Sequence, residues 1–457
     1  MMGAAFKQIC GRWTDRLLYI GFLMGLSVLL FVLGSLAAYQ NWPPAQYVRN
    51  GALAAQALFG QYQLTTDPFP KYLWFPSSHE GRGVTRRVAE RMQPGLTLYT
   101  SGDAAQAMLL DDLGNVIHHW KAPFSSIWPD ARHVTGFTSD RAIYIREAHA
   151  FPNGDLLALY ESPWHTPNGC GLAKLDRNSR LIWKIDANAH HDFDINAAGQ
   201  IIVLTHEVRD SVPAGWEQLR TPFIEEFVTI LTPDGQVVKR LSLLELLRKS
   251  PFYRPLVTHT DQLGDVLHSN TANLVGPEFA ARHEGVESGD LLVCFRNLNL
   301  VAAVDLQNES IDWATGGPWR FPHDPDPLPD GTILIFDNCF VQGAAHGSRV
   351  LRFDARHGTV VWQYGGRESA LLRSDIRSCQ QLLANGNVLI TESDYGRFIE
   401  VTPAGEIAWE YVHPERGGES NELIPIVSGA RRYDLRELPF VEATNNRHSI
   451  AGLEQSK

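Results

Sequence analysis

The chain has 457 residues, of which 44% are hydrophobic and 20% charged, and its formal net charge is −11 at pH 7. This composition is typical of a globular protein and excludes extensive disorder. The negative charge argues against nucleic acid as a partner, and an anionic substrate would need a locally basic site.

The amino-terminal segment predicts a membrane anchor. Residues 17–39 are a run of 23 residues without a charge, long enough as a helix to span a hydrocarbon core of ~30 Å. Residues 1–16 carry three basic residues and one acid and are expected to stay cytoplasmic. A cleaved signal peptide is the alternative, with Ser35-Leu36-Ala37 as the cleavage site, but the length of the run favours a retained helix. We therefore expect a single-pass membrane protein whose remaining chain lies outside the cytoplasm, which is the periplasm, with the helix in the inner membrane, if the organism is a Gram-negative bacterium.

The next segment, residues 40–94, is predicted to be a linker with a short helix over Gln46–Gln63 and several prolines after it. Five widely spaced cysteines form no CxxC pair. Four of them follow the apolar run and could form disulfides, and the sequence leaves their pairing open.

Residues 95–440 consist of repeated β units. A polar turn followed by an apolar run ends in tryptophan at five places, and a sixth copy lacks the tryptophan; the five are Trp120, Trp183, Trp313, Trp362 and Trp409. A second unit, a polar-glycine turn before an apolar strand, alternates with the first, and the period is about 45 to 55 residues, as in four-stranded blades. We predict an all-β fold, a six-bladed β-propeller, rather than a β-sandwich followed by a second β domain. An amphipathic helix over Leu241–Lys249 and a loop over Pro251–Asp265 are insertions, and residues 441–457 are a tail.

Histidines recur at one position of the repeat. His191 and His323 each lie eight residues before a glycine that opens an apolar strand, and His149 and His268 occupy the same position in other blades. The innermost strands of a propeller line its channel, so these side chains are predicted to converge there. Strand alternation places the neighbouring His190 on the opposite face. Asp192 and Asp324 either orient their own histidines or cap the turn, and the sequence leaves both roles open.

Arg296 is the one cation in the apolar stretch around residues 293–305. It could form a salt bridge between blades, or it could present its planar fork to a tetrahedral oxyanion. Three histidines converging nearby favour the second interpretation. Asn270 and Asn299 could add neutral hydrogen-bond donors.

At these residues the sequence resembles the bacterial arylsulfate sulfotransferases over about residues 95–435. The resemblance rests on His191-Asp192, Leu267-His268-Ser-Asn, Phe295-Arg296-Asn-Leu-Asn, Phe321-Pro-His323-Asp with Gly331-Thr-Ile-Leu-Ile-Phe-Asp-Asn338, and Arg431-Arg-Tyr433.

The resemblance implies a periplasmic, six-bladed, PAPS-independent transferase that moves a sulfuryl group from a phenolic sulfate to another phenol through a sulfated histidine. By motif match, His323 would be the nucleophile, while His191, His268 and Arg296 would hold the sulfuryl oxygens and protonate the leaving phenolate. Asn270, Asn299 and His149 are the candidate substrate-binding residues, and no cofactor or metal is expected. The chain is expected to lack the β-rich amino-terminal dimerisation domain of studied members, which leaves its oligomeric state open.

Three other classes remain possible from the sequence. Three histidines could bind a transition metal in a propeller hydrolase, although an arginine beside them would oppose a cation. A membrane-anchored propeller could also be a non-catalytic scaffold or binding module. A quinone-cofactor dehydrogenase is disfavoured because vicinal cysteines are absent from the sequence.

Overall fold

The computed structural model describes residues 2–40, 42–134, 138–163, 169–212, 219, 221–254, 264–342, 345–367 and 370–441. Most of the predicted tail and the larger part of the loop predicted after Lys249 lie outside these residues. The chain divides into two compact units, Met1–Thr66 and Asp67–Lys457.

The first unit consists of two helices, α1 (Met2–Tyr39) and α2 (Pro43–Thr66). Within α1, Leu18–Tyr39 is long and apolar enough to cross a membrane, and it is the only such segment among the described helices. Its large apolar side chains are exposed. Helix α2 extends beyond the predicted Gln46–Gln63 at both ends.

The second unit is built of short antiparallel strands. The strands are β1 (Trp74–Pro76), β2 (Gly83–Arg87), β3 (Leu96–Ser101), β4 (Gln106–Leu110), β5 (Val116–Lys121), β6 (Tyr144–Ala150), β7 (Leu156–Glu161), β8 (Gly169–Leu175), β9 (Leu181–Ile185), β10 (Asn188–Ile195), β11 (Ile201–Arg209), β12 (Phe223–Leu231), β13 (Val237–Ser242), β14 (Ser269–Leu274), β15 (Leu291–Phe295), β16 (Leu300–Asp305), β17 (Ser310–Gly316), β18 (His323–Pro327), β19 (Ile333–Gln342), β20 (Ala345–Asp354), β21 (Thr359–Tyr364), β22 (Gly366–Arg367), β23 (Ala370–Leu371), β24 (Gln380–Leu382), β25 (Val388–Glu392), β26 (Arg397–Val401), β27 (Ile407–Val412), β28 (Leu423–Pro425) and β29 (Val427–Tyr433). Short helices α3 (Phe124–Ile127), α4 (Leu243–Lys249) and α5 (Pro277–Ala280) lie between them.

These strands form six blades, and the predicted six-bladed propeller is confirmed. Four blades are consecutive: β6 to β9, β10 to β13, β14 to β17 and β18 to β21. The ring closes where β29 becomes the innermost strand of the blade that contains β3, β4 and β5, so the two ends of the propeller share one sheet. The sixth blade, β24 to β27, gains β2 at its outer edge, and β1 pairs with β28.

The repeated tryptophans join neighbouring blades. The indole N–H of Trp120 donates to the Gly154 carbonyl of the next blade at 3.0 Å, and Trp409 donates to the Asp112 carbonyl at 2.9 Å. Each tryptophan is on an outer strand, and each acceptor is in a turn of the following blade. At these two positions, the repeated tryptophan is therefore an inter-blade contact.

The apolar core lies between blades as well as within them. One cluster of buried side chains unites Leu109 and Trp120 of one blade with Ile145 and Tyr160 of the next. Such interlocking makes each blade depend on its neighbours for burial of its faces.

The predicted amphipathic insertion forms α4. The Ser242 hydroxyl accepts a hydrogen bond from the Glu245 backbone N–H and so caps its amino end. Its four leucines are buried, and the basic pair Arg248 and Lys249 lies in the last turn, where it complements the helix dipole.

Candidate active site

Three innermost strands begin with the same irregularity. The strand register shifts between Ala189 and Phe193, between Ser269 and Ala272, and between His323 and Asp326. The backbone φ is +58° at His191, +49° at His268 and +51° at Asp324. A bulge of this kind turns a side chain away from its regular direction, and bulges are frequent next to active sites. Here they direct the repeated histidines to one place.

The structure brings together four of the predicted residues: His191, His268, Arg296 and His323. The rings of His191 and His268 meet edge to face, with centroids 5.0 Å apart. The backbone N–H of Arg296 donates to the His268 carbonyl at 3.3 Å. Burial lowers the pKa of His323 well below its usual range, and the nearby charge of Arg296 lowers this pKa further.

The imidazole of His323 has a defined tautomer. Its Nδ1 lies 2.7 Å from the Asn338 side-chain oxygen and 3.1 Å from the Phe321 carbonyl, and both of these atoms are acceptors. The Asn338 amide nitrogen donates to the Ser374 and Arg377 carbonyls at 2.8 Å each, which fixes the orientation of the amide. Nδ1 of His323 must therefore carry the proton, and Nε2 carries the lone pair.

Arg296 starts a short 3₁₀ turn at the end of β15. Its guanidinium lies 4.6 Å from the centre of the Phe321 ring, and one of its nitrogens donates to the Asn297 side-chain oxygen at 3.0 Å. Burial lowers the pKa of Arg296, although arginine remains charged in such surroundings. The group is thus a half-buried cation held beside His323 by an aromatic face.

His268 is held by an acidic partner that the sequence analysis did not identify. Its Nδ1 is hydrogen-bonded to the Asp265 carboxylate, three residues earlier. Asp265 is buried, which by itself raises its pKa, but His268 and Arg296 lower the pKa below its usual value. A carboxylate that orients an imidazole through Nδ1 leaves Nε2 to face the reacting group, as in hydrolase triads.

Asn270, in β14, and Asn299, which follows the 3₁₀ turn of Arg296, both contact the loop that leads into His323. The Asn270 amide donates to the Pro322 carbonyl at 2.8 Å, and the Asn299 side-chain oxygen accepts the Phe321 N–H at 2.7 Å. These contacts position the backbone on either side of the Phe321 ring, so each amide has a role in supporting the loop.

His149 is placed apart from the other three histidines. It lines a cavity of about 360 Å³ together with Arg431, Asp192 and Asp324. Among the described residues that line this cavity, none belongs to the cluster of His191, His268, Arg296 and His323. Burial lowers the pKa of His149 to about 4, and the charge of Arg431 contributes.

Asp192 and Asp324 join neighbouring innermost strands. The Asp192 carboxylate accepts the Ala272 N–H at 2.9 Å, and the Asp324 carboxylate accepts the Gln380 N–H at 3.0 Å. Burial raises the pKa of both carboxyls. The sequence left two roles open for these carboxylates: orienting the adjacent histidine or capping the turn. The observed bonds match neither role, because they run to the next blade.

The prediction for His190 is wrong. Its Nδ1 lies 2.9 Å from Nδ1 of His191, so the two rings lie on the same side of the strand, and the His190 side chain is fully buried. Alternation fails here because the bulge at His191 puts two successive side chains on the same side. On the other side of His191, the Glu161 carboxylate accepts its backbone N–H at 2.6 Å and pairs with the buried Arg146 at 3.7 Å.

Cys170, Cys294, Cys339 and Cys379 form no disulfide with one another. Within the described part of the chain, no group of three or more histidine, cysteine or acidic side chains has an arrangement that could hold a metal ion.

Fold and site together define a six-bladed propeller whose bulged innermost strands bring three imidazoles and one guanidinium together. The chain belongs to the arylsulfotransferase (ASST) family, whose sequence model matches residues 148–414. The matched region contains His191, His268, Arg296 and His323, and the resemblance inferred from the motifs is confirmed. No curated protein matches the chain.

Solved structures with similar folds are distant in sequence. A protein of unknown function from Bacteroides caccae is 11% identical with a TM-score of 0.46, and the match covers 74% of this chain and 98% of that one. A streptogramin B lyase is 12% identical with a TM-score of 0.40, covering 79% and 97%. An inactive virginiamycin B lyase from Staphylococcus aureus with quinupristin is 11% identical with a TM-score of 0.36, covering 61% and 73%. Likenesses of this size carry no inference about activity.

Proposed function

We propose that this protein is a membrane-anchored sulfotransferase that moves a sulfuryl group from an aryl sulfate to a phenolic acceptor through a sulfohistidine at His323. The observation that carries the proposal is the tautomer of His323: Asn338 and the Phe321 carbonyl hold Nδ1–H, so that Nε2 offers its lone pair beside Arg296. Family membership supports the reaction class.

The nucleophile is neutral at neutral pH without a separate base. Burial, followed by the charges of Arg296 and Arg146, lowers the pKa of His323 well below its usual range. A neutral imidazole is a competent nucleophile, whereas an imidazolium has no lone pair to give.

In the first half-reaction, Nε2 of His323 attacks the sulfur, and the bond between sulfur and the phenolic oxygen breaks. The leaving phenolate takes a proton from a neighbouring imidazole, for which His191 and His268 are the candidates. In the second half-reaction an acceptor phenol gives its proton back and attacks the sulfohistidine, which restores neutral His323.

Arg296 would bind the non-bridging oxygens of the sulfuryl group. Sulfuryl transfer, like phosphoryl transfer, spreads negative charge over these oxygens, so a positioned cation stabilises the transition state more than the ground state. The Phe321 ring keeps the guanidinium in place on one face, which leaves its fork for two parallel hydrogen bonds to oxygens.

We also propose that α1 remains attached and anchors the propeller, residues 95–440, as the catalytic domain on the periplasmic side of a bacterial inner membrane. The apolar segment Leu18–Tyr39 has the length to span the bilayer, and the basic residues before it favour a cytoplasmic amino end. Residues 40–94 would then connect anchor and propeller.

The proposal is tested with His323→Asn in the purified full chain, assayed for transfer from 4-nitrophenyl sulfate to phenol. We expect His323→Asn to abolish transfer while the unfolding transition stays close to that of the wild type. His357→Asn, at an exposed position on the outer part of a blade, is the control and should retain full activity. Transfer by His323→Asn at the wild-type rate, or a wild type inactive on every aryl sulfate, contradicts the proposal.

A further inference from the structure

His190 and His191 form a buried pair of imidazoles at the site. Their Nδ1 atoms are 2.9 Å apart, which leaves room for a single proton between them. Burial lowers the pKa of each ring well below its usual range, so both rings are neutral. One ring must then donate from Nδ1 and the other accept, which means that the tautomer of His191 depends on that of His190.

An acid lies behind His190, away from the sulfuryl site. The Glu226 carboxyl oxygen is 3.8 Å from Nε2 of His190, and both side chains are fully buried. Burial raises the pKa of Glu226 well above its usual value, and the nearby Asp265 raises this pKa further. The Ser269 backbone N–H donates to the same carboxyl at 3.0 Å, so an ionised form also has a donor. The side chain of Glu226 can therefore be accommodated both in its protonated and in its ionised form.

We propose that Glu226, His190 and His191 form a proton relay, in which His191 is the acid and base for the phenolic oxygen and His190 and Glu226 act through it. This inference rests on the proposed sulfuryl transfer and assigns the proton that the transfer needs. His191 is the only one of the three that touches the substrate oxygen; His190 and Glu226 are positioning residues.

The relay balances over the two half-reactions. As the sulfur–oxygen bond breaks, the phenolate takes the Nε2 proton of His191, Nδ1 of His191 takes the Nδ1 proton of His190, and Nε2 of His190 takes the Glu226 proton. Both imidazoles stay neutral in the opposite tautomer, and Glu226 becomes a carboxylate. The acceptor phenol then returns its proton along the same path as it attacks the sulfohistidine.

One link of the relay is already formed in the structure, and the other has to close. The Nδ1–Nδ1 contact is already at hydrogen-bond length. The distance from Glu226 to His190 has to shorten during the reaction, as catalytic hydrogen bonds often do when substrate is bound. His268 has a different arrangement, since its Nδ1 is hydrogen-bonded to Asp265. In its doubly protonated form, His268 donates from Nδ1 to Asp265 and from Nε2 to a sulfuryl oxygen, which it would hold together with Arg296.

The test varies the leaving group. Proton donation matters most when the departing phenolate is basic, as in phenyl sulfate, whose phenol has a pKa of about 10, like tyrosine. It matters little for 4-nitrophenyl sulfate, because 4-nitrophenolate is a stable anion. The variants are His190→Phe, which keeps a ring of similar size, and Glu226→Gln, which keeps an acceptor for Ser269. His283→Phe, a buried histidine in another blade that bonds the Gly331 carbonyl, controls for the loss of a buried imidazole.

We expect His190→Phe to lower kcat/KM about 10²-fold for phenyl sulfate but less than about tenfold for 4-nitrophenyl sulfate. Glu226→Gln should show the same dependence on the leaving group. His283→Phe should change kcat/KM for the two donors by the same factor. Equal losses on both donors for His190→Phe and Glu226→Gln overturn the relay while leaving the proposed function in place. A wild type inactive on both donors overturns the proposed function itself.

Discussion

Replacing Asn338 by leucine removes the side chain that fixes the tautomer of His323. Asn338 accepts from Nδ1 of His323 at 2.7 Å and donates to the Ser374 and Arg377 carbonyls. In Asn338→Leu, the Ser374 carbonyl keeps the Ser348 hydroxyl at 2.9 Å, and Nδ1 of His323 keeps the Phe321 carbonyl at 3.1 Å. The Arg377 carbonyl loses its bond to Asn338.

One buried carbonyl deprived of its donor should lower the free energy of unfolding by about 1–3 kcal/mol. The imidazole, held only by the longer contact, should lose its attack geometry, and misplacement by about 1 Å costs on the order of 10²-fold in rate. Denaturant unfolding and transfer from 4-nitrophenyl sulfate measure the two effects separately.

The matched control is Asn387→Leu in the last blade. Asn387 is also buried, and its amide donates to the Arg91 carbonyl and to Glu400, each at 2.7 Å. Asn387→Leu should lower the free energy of unfolding by a similar amount and leave the rate of sulfuryl transfer unchanged. The reasoning is refuted if Asn338→Leu transfers at the wild-type rate, or if both leucine variants lose the same fraction of activity.

Three further predictions concern the cation, the separate histidine and the blade contacts. Arg296→Ala should lower kcat about 10²–10³-fold, and Arg296→Lys should recover only part of this loss because a point charge lacks the planar fork; full recovery in steady-state kinetics would contradict an oxyanion clamp. The pKa of His149 is lowered to about 4 by burial, so the native state resists protonation between pH 6.5 and 4 and the wild type loses stability as pH falls through this window. His149→Phe should therefore gain about 1.4 kcal/mol relative to wild type per pH unit in that window, measured by denaturant unfolding, and a pH-independent difference would count against the assignment. Gly235 has φ +83°, and an added Cβ would lie 2.7 Å from the Trp183 ring. Gly235→Ala should therefore lower the free energy of unfolding by about 1–3 kcal/mol. An unchanged thermal unfolding transition would show that the Trp183 ring moves away from the methyl group at little cost.

The propeller could be predicted because each blade repeats short-range signals. The tryptophans recur since each outer strand needs the same contact with the next turn, as Trp120 and Trp409 show. Turn glycines recur because the hairpins need a positive φ, as at Gly235 and Gly405. These constraints are local and appear once per unit, so a single sequence displays them several times.

The clustered site residues were partly predictable for the same reason, since His191, His268 and His323 recur at one position of the repeat. Their partners were not. Asn338 reaches His323 across a hairpin, Asp265 lies in an insertion, and the approach of His190 depends on a bulge that reverses alternation. These positions do not recur from blade to blade, so the repeat does not reveal them. Asp265 alone had a visible signal in the sequence, since it is an acidic residue three positions before His268.

Transfer through His323 requires that this residue carries the sulfuryl group between donor and acceptor. Mass spectrometry of the full chain after exposure to an aryl sulfate without acceptor detects this intermediate. We expect one added SO₃ group on the peptide that contains His323, absent from His323→Asn and removed when phenol is supplied. A protein that turns over aryl sulfates while that peptide stays unmodified, or carries the group on another residue, would contradict this role of His323.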